Sequence, residues 1–380
     1  MSSVEVRPFT ISVPEEEVEE LRSRLRRTRW PEPATVDDWS QGVPLDYARE
    51  VCGYWADAYD WRRCETGLNR VANFMTELGG LDIHFQHIRS RHEDATPMIV
   101  THGWPGSVLE FQKVIGPLTD PTAHGGTAGD AFHLVLPSLP GFGWSAKPAT
   151  AGTGVEVIAE MWDQLMVRLG YDSYVAQGGD WGSVITAAIG IQNHGHCRAI
   201  HTNMPVARPT AADMVDPTPE EVSAIAVLDY YVSTDSGYSK IQATRPQTIG
   251  YGLVDSPAGL ATWILEKFWS WTDRDRHPEE SFTRDDLLDN ISIYWFTASA
   301  ASSARIYWES FGLPRPGTVA IPAGCSLFPH DILGASRRWA ERKFTDIRYW
   351  SVVDRGGHFA AFEQPDLYVS EVRAAFRALL

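Results

Sequence analysis

Gln177-Gly178-Gly179-Asp180-Trp181-Gly182-Ser183 lies between a short apolar run, Tyr174-Val175-Ala176, and a helix-like run from Val184 to Ile191. Read as strand, sharp turn and helix, it has the form of a nucleophile elbow. Small residues two before and two after the reactive side chain let the strand and helix backbones approach closely. Gly178 and Gly182 hold those positions, and Asp180 stands where an ester hydrolase carries serine. That exchange alters the chemistry. A serine attacking an sp³ carbon would end as an ether, which neutral water does not readily cleave. A carboxylate ends as an ester, which an activated water removes, so an aspartate elbow points to attack on sp³ carbon followed by ester hydrolysis. The same residues also suit a plain strand-to-helix turn with Asp180 as N-cap, so the rest of the chain has to decide.

Upstream, the apolar strand 98–101 precedes His102-Gly103-Trp104-Pro105-Gly106-Ser107, where Ser107 and Glu110 read as a capping box for the next helix. A strand at 132–136 and a helix at about 155–169 lead into the elbow. Alternation from 97 to about 204 predicts a parallel sheet with right-handed crossovers. Between 205 and 316 the pattern turns helical and rich in Tyr and Trp, with helices at 261–271 and 287–301. It reads as an insertion over the C-terminal ends of the strands, where ligands bind in such sheets. Alternation returns with a strand at 318–322, a helix near 336–343, a strand at 347–353 and a closing helix from about 366.

Ahead of the sheet, 71–78 and 81–88 around Gly79-Gly80 form a hairpin signal. Residues 1–75 read as a helical preface. One helix opens at Pro14, with Glu15, Glu16 and Glu17 in its first turn and arginines in its last. A second follows Pro44, setting Tyr47, Val51, Tyr54, Trp55 and Ala58 on one face against the main domain. The expected organisation is therefore a helical extension (1–75), a first core part (76–204), a helical cap (205–316) and a second core part (317–380).

The formal charge, 33 minus 49 or −16, argues against nucleic-acid binding. Cys52, Cys64, Cys197 and Cys325 are too scattered for a disulfide framework or a zinc knuckle. His84, His87 and His92 fall on alternating faces of a strand, a poor geometry for a metal. No metal or cofactor is expected. The N-terminus has no leader-like run and no long apolar stretch occurs, so a soluble, cytoplasmic chain without a membrane anchor is expected. A homo-oligomer is left open.

An ester on Asp180 needs a base to activate water. His358, in Arg355-Gly356-Gly357-His358-Phe359-Ala360 just after the last strand, falls in the chain order nucleophile, acid, histidine. Asp331, Asp346 and Asp354 compete to orient it, and position favours Asp331. Backbone N–H groups of Trp104 and Trp181 are the expected oxyanion donors, their rings lining a pocket with His102, Pro105 and Phe359.

Taken together, His102-Gly103-Trp104-Pro105, Gly178-Gly179-Asp180-Trp181-Gly182 and Gly356-Gly357-His358-Phe359-Ala360-Ala361-Phe362-Glu363-Gln364-Pro365 resemble the microsomal-type epoxide hydrolases of the α/β-hydrolase superfamily. The likeness extends to Arg7-Pro8-Phe9, Thr28-Arg29-Trp30-Pro31, Ile241–Thr248 and Asp255–Leu260. It implies an α/β-hydrolase fold, a mostly parallel central sheet flanked by helices, with a helical cap insertion. It also implies Asp180 as nucleophile, His358 as base, Asp331 as charge partner, and Tyr238 and Tyr307 as the cap tyrosines that hold an epoxide oxygen. The family often has glutamate where Asp331 stands. Its membrane-bound members carry an N-terminal anchor with no counterpart here, so a soluble bacterial-type relative is expected.

The expected activity is thus hydrolysis of a small-molecule epoxide by water to a vicinal diol, with an aryl or polycyclic epoxide of secondary metabolism as substrate class. A haloalkane dehalogenase shares the aspartate elbow but has no use for paired cap tyrosines. A non-catalytic binding protein on the same scaffold is the alternative of another class.

Overall fold

The computed structural model describes residues 5–273, 275–313 and 315–380. Met1 to Val4, part of the stretch expected to lack a leader, lie outside them.

The described residues build one nine-stranded sheet: β1 (Arg7–Phe9), β2 (Asn73–Leu78), β3 (Leu81–Ile88), β4 (Thr96–Thr101), β5 (Phe132–Pro137), β6 (Tyr174–Gly178), β7 (Cys197–Thr202), β8 (Ala323–Leu327) and β9 (Ile347–Val352). Their spatial order is β1-β2-β3-β5-β4-β6-β7-β8-β9. The first three and β5 pair antiparallel, and from β5 to β9 every pairing is parallel. A parallel block must be covered on both faces. The Val155–Arg168, Asp180–Gln192 and Pro365–Leu379 helices supply apolar cover. Because the strands run the same way, the loops after β4, β6, β8 and β9 all emerge at one edge. This is the α/β-hydrolase fold.

Between β7 and β8 lie the helices Pro219–Tyr230, Gly237–Thr244, Pro246–Asp255, Pro257–Ser270, Arg284–Phe296 and Ala300–Ser310. Local chemistry sets their starts: Thr218 with Glu221 and Thr283 with Asp286 form capping boxes, and Ser256 caps the fourth. The run expected as one helix at 287–301 is broken, because Ala298 turns left-handed (φ 47°) and ends one helix before the next begins.

Other expectations need correction. The preface is not wholly helical, since β1 joins the sheet edge against β2. The strand expected at 318–322 is reduced to a single bridge at Val319, and the strand itself is Ala-Gly-Cys-Ser-Leu at 323–327. Its small residues read as loop, yet Gly324 lies against Ala375, His201 and Leu379, where an added Cβ would be tight at 3.3 Å from each. The helix expected after Ser107 is only a 3₁₀ turn, Val108–Phe111, capped by Ser107 Oγ accepting from the Leu109 N–H at 3.2 Å.

The preface helix Leu45–Asp57 packs against the insertion. Tyr54 and Trp55 donate to Asp285 and Ser292 at 2.9 and 3.0 Å, Tyr59 donates to Asp289 at 2.6 Å, and Arg284 reaches Glu50 at 2.7 Å. From the next helix, Trp61–Asn69, Arg63 reaches Asp289 at 2.6 Å. Ala58, expected on the packed face, follows the last helical turn and is exposed.

Candidate active site

Thr101 at the end of β4 and Gly178 at the end of β6 are register partners, so the two following loops start side by side. Asp180 adopts a left-handed conformation (φ 50°), rare for a residue with a Cβ and held here by the close backbone packing of its flanking glycines. A Cβ on Gly182 would strike the Thr101 carbonyl, and one on Gly178 the Gly182 backbone, so both positions must be bare. Gly103 is bare for a further reason, because a Cβ there would sit on the Asp180 carboxyl. The Trp104 N–H donates to Asp180 Oδ1 at 2.8 Å. The Trp181 amide lies in the first turn of the elbow helix, and its ring meets Tyr307 edge-on at 4.9 Å.

From the far end of the chain, His358 brings Nε2 to 3.4 Å from Asp180 Oδ2. Its Nδ1 lies 2.7 Å from Asp331 Oδ1, and its backbone N–H donates to the Trp271 carbonyl at 2.8 Å. The other two carboxylates are spent elsewhere: Asp346 on Arg348 at 2.7 Å and Asp354 on Arg355 at 3.2 Å. Burial by itself would push the imidazole down. The carboxylates of Asp331 and Asp180 outweigh it and hold His358 up at about 10.

Two spaces meet at Asp180. Behind it is a chamber of about 20 Å³ walled by Asp180, His358, Glu110, Asn203, Phe359 and Tyr368. That is room for one water. In front is a cavity of about 270 Å³, lined largely by apolar side chains including Val184, Met204, Val206, Leu228 and Ile332, with Tyr238 and Tyr307 bordering Asp180. Both phenols are buried, and among the described residues the Tyr307 hydroxyl has no partner within hydrogen-bonding geometry. Burial, with Tyr307, Tyr231 and Asp180 nearby, lifts Tyr238 well above 10, and burial and Asp180 do the same to Tyr307. Both therefore keep their protons at neutral pH.

His102 lines the chamber, but its ring is tied into the turn, with Nδ1 on the Gly103 carbonyl at 2.9 Å and Nε2 accepting from the Leu139 N–H at 3.2 Å. Pro105, expected in the pocket wall, borders neither space, and its carbonyl accepts from Asn290 Nδ2 at 2.7 Å. His84 is satisfied by Ser138 and Asn73 at 2.9 and 3.0 Å, and His87 by Tyr171 at 2.8 Å. Among the described residues no cluster of His, Cys, Asp and Glu could hold a metal ion.

Sequence reading missed three neighbours. Glu110, read as a capping residue, holds the Ser107 N–H and also faces the chamber. Tyr231 places its hydroxyl 3.2 Å from that of Tyr238. Glu363 accepts the Gly357 N–H at 2.6 Å and so braces the histidine loop. A buried acid inside the motif that carries the base was the available signal for the last.

These groups titrate in one direction. Burial lifts Glu110 and Glu363 from 4.5 to about 8, and His358 rises from 6.5 to about 10. All three folded values exceed the unfolded ones, so the folded chain holds extra protons between 4.5 and 8 for the glutamates and between 6.5 and 10 for His358. The stability they contribute is complete below the lower bounds and is lost as pH rises through the upper ones. The melting temperature is expected to fall from pH 6 to pH 9 in calorimetry, less steeply in Glu110→Gln. An identical slope in that variant would remove Glu110 from the account.

Residues 6–111 match the family model described as epoxide hydrolase N terminus, and residues 96–231 that of the alpha/beta hydrolase fold. The chain is 52% identical to a Stigmatella aurantiaca protein provisionally named an epoxide hydrolase, over 98% of this chain and 85% of that protein. It is 33% identical to Sus scrofa epoxide hydrolase 1, over 97% and 88% of the two chains. The crystal structure of juvenile hormone epoxide hydrolase from Bombyx mori superposes with a TM-score of 0.92 at 31% identity, covering 98% of this chain and 94% of that one. No helix among the described residues is long and apolar enough to cross a membrane.

Proposed function

The chain belongs to the epoxide hydrolases, and from that premise we propose that it opens its substrate through a covalent ester on Asp180. The carboxylate attacks one ring carbon and the C–O bond on the far side breaks. Tyr238 and Tyr307 donate to the departing oxygen, which takes a proton and becomes a hydroxyl. The observation that carries this reading is the setting of Asp180: an anion on a left-handed elbow, touched by the Trp104 N–H at 2.8 Å and His358 at 3.4 Å, below two protonated phenols.

Charge drives the second half. Esterification removes the Asp180 anion, one of the two carboxylates supporting the imidazolium. Burial then gains against Asp331 alone, and His358 gives up its proton, which balances the one the phenol lost to the ring oxygen, and becomes the base. The 20 Å³ chamber, walled by both Asp180 and His358, has room for the one water that this base would activate against the ester carbonyl. Its attack develops an oxyanion against the Trp104 and Trp181 amides, and collapse returns the carboxylate and frees a diol. In dehalogenation the two phenols would be idle.

The cavity, about 270 Å³ and mostly apolar, lies just under the range usual for drug-sized ligands. An epoxide bearing one aromatic ring suits it better than a larger polycycle. Single turnover in ¹⁸O-water tests the route: label is expected in the enzyme carboxylate before the diol, and label in the first diol released would overturn it. Tyr238→Phe and Tyr307→Phe should each slow ring opening about 10- to 100-fold, and together about 10³-fold or more, measured as ester formation.

A further inference from the structure

We propose that Lys267 is a positioning residue for ring opening, acting through Tyr238: its ammonium, sealed against the face of that phenol, eases transfer of the phenolic proton to the opening ring. The inference rests on the reading of Tyr238 as a proton donor.

Lys267 belongs to the Pro257–Ser270 helix of the insertion, and its side chain is 3% exposed. Lysine is almost never so buried unless paired. Its Nζ lies 2.8 Å from Asp235 and 2.7 Å from Glu266, and 4.6 Å from the centre of the Tyr238 ring. The same ring stacks on Trp104 at 4.9 Å, the residue whose N–H holds Asp180. Asp235 closes a widened helical turn, Tyr231–Asp235, of a kind often found at functional sites. It also accepts from Trp271 Nε1 at 2.5 Å.

Two readings of this ion pair are available. One is a satisfied buried charge that pins one insertion helix to another. The other assigns it work on Tyr238, and the placement of the ammonium favours this second reading. Two carboxylates already meet the charge of Lys267, so pairing alone gives no reason for it to lie over the ring as well. Burial and Asp180 make Tyr238 a reluctant acid. A cation within 5 Å of the ring, in a site closed to water, stabilises the phenolate-like donor of the transition state more than the resting phenol. The Tyr231 hydroxyl, 3.2 Å from that of Tyr238 and 3.2 Å from Ser239 Oγ, offers the way for a proton to return.

The test separates the two half-reactions by rapid quench with styrene oxide and mass measurement of the Asp180 peptide. Wild type comes first: if it forms no ester, the covalent reading fails irrespective of Lys267. Lys267→Met combined with Asp235→Asn removes the cation without leaving both carboxylates unpaired, and Lys267→Gln replaces it should that chain not fold. Ester formation is expected to slow about 10- to 100-fold while ester hydrolysis stays within about twofold, and Lys267→Arg should keep most of the rate. In a Tyr238→Phe background the loss should largely vanish. Equal slowing of both steps, unchanged ester formation, or the full loss persisting in Tyr238→Phe would each overturn the proposal.

Discussion

Asp180→Asn is expected to lower diol formation about 10⁵-fold, to the level left by binding and oxyanion contacts alone, as when a covalent nucleophile is removed elsewhere. The amide keeps an oxygen for the Trp104 N–H, so the elbow should survive. The exchange does remove the anion facing His358, which loses one of its two supports. Near-normal folding by circular dichroism with turnover abolished is the expected pair of observations. Residual activity within about tenfold of wild type would mean that water attacks the epoxide directly, with no ester.

His358→Gln should produce a different failure. Ring opening does not need the base, so each chain is expected to react once and stop, gaining the mass of one substrate at Asp180. Steady turnover should fall by about 10²- to 10⁴-fold, the usual reach of a general base. Asp331→Asn should sit between, because it leaves the imidazole in place but weakens its orientation. A variant at 358 that accumulates no adduct yet is inactive would shift the role of His358 to the first step.

What could be read from residue order alone follows the reach of each physical signal. The elbow was legible because its two glycines and its aspartate are forced by contacts within a few residues and with one neighbouring strand. The β8 strand is not legible, because Ala323-Gly324-Cys325-Ser326-Leu327 has small side chains that suit a crowded interior, and the apolar pattern points five residues upstream. The capping role of Glu110 is legible from spacing, whereas its second role as a chamber wall is not, because that chamber is built from residues as distant as Tyr368. Tyr238 and Tyr307 stand out from the 13 tyrosines only by likeness to a family. Lys267 carried a weak signal, a single cation on the buried face of the Pro257–Ser270 helix, whose partner Asp235 lies 32 residues away.

The amino-terminal helices are bolted to the Arg284–Phe296 helix by Tyr54, Trp55, Tyr59 and Arg63. A roof fastened in this way is expected to resist swinging open as one body. Exposed Arg208 and Lys240 border the cavity, and traffic is expected to pass at that rim, whose width would then decide who enters. For anyone wishing to broaden the guest list, trimming side chains at that rim is the expected route, because the bolts end on a helix that carries neither phenol.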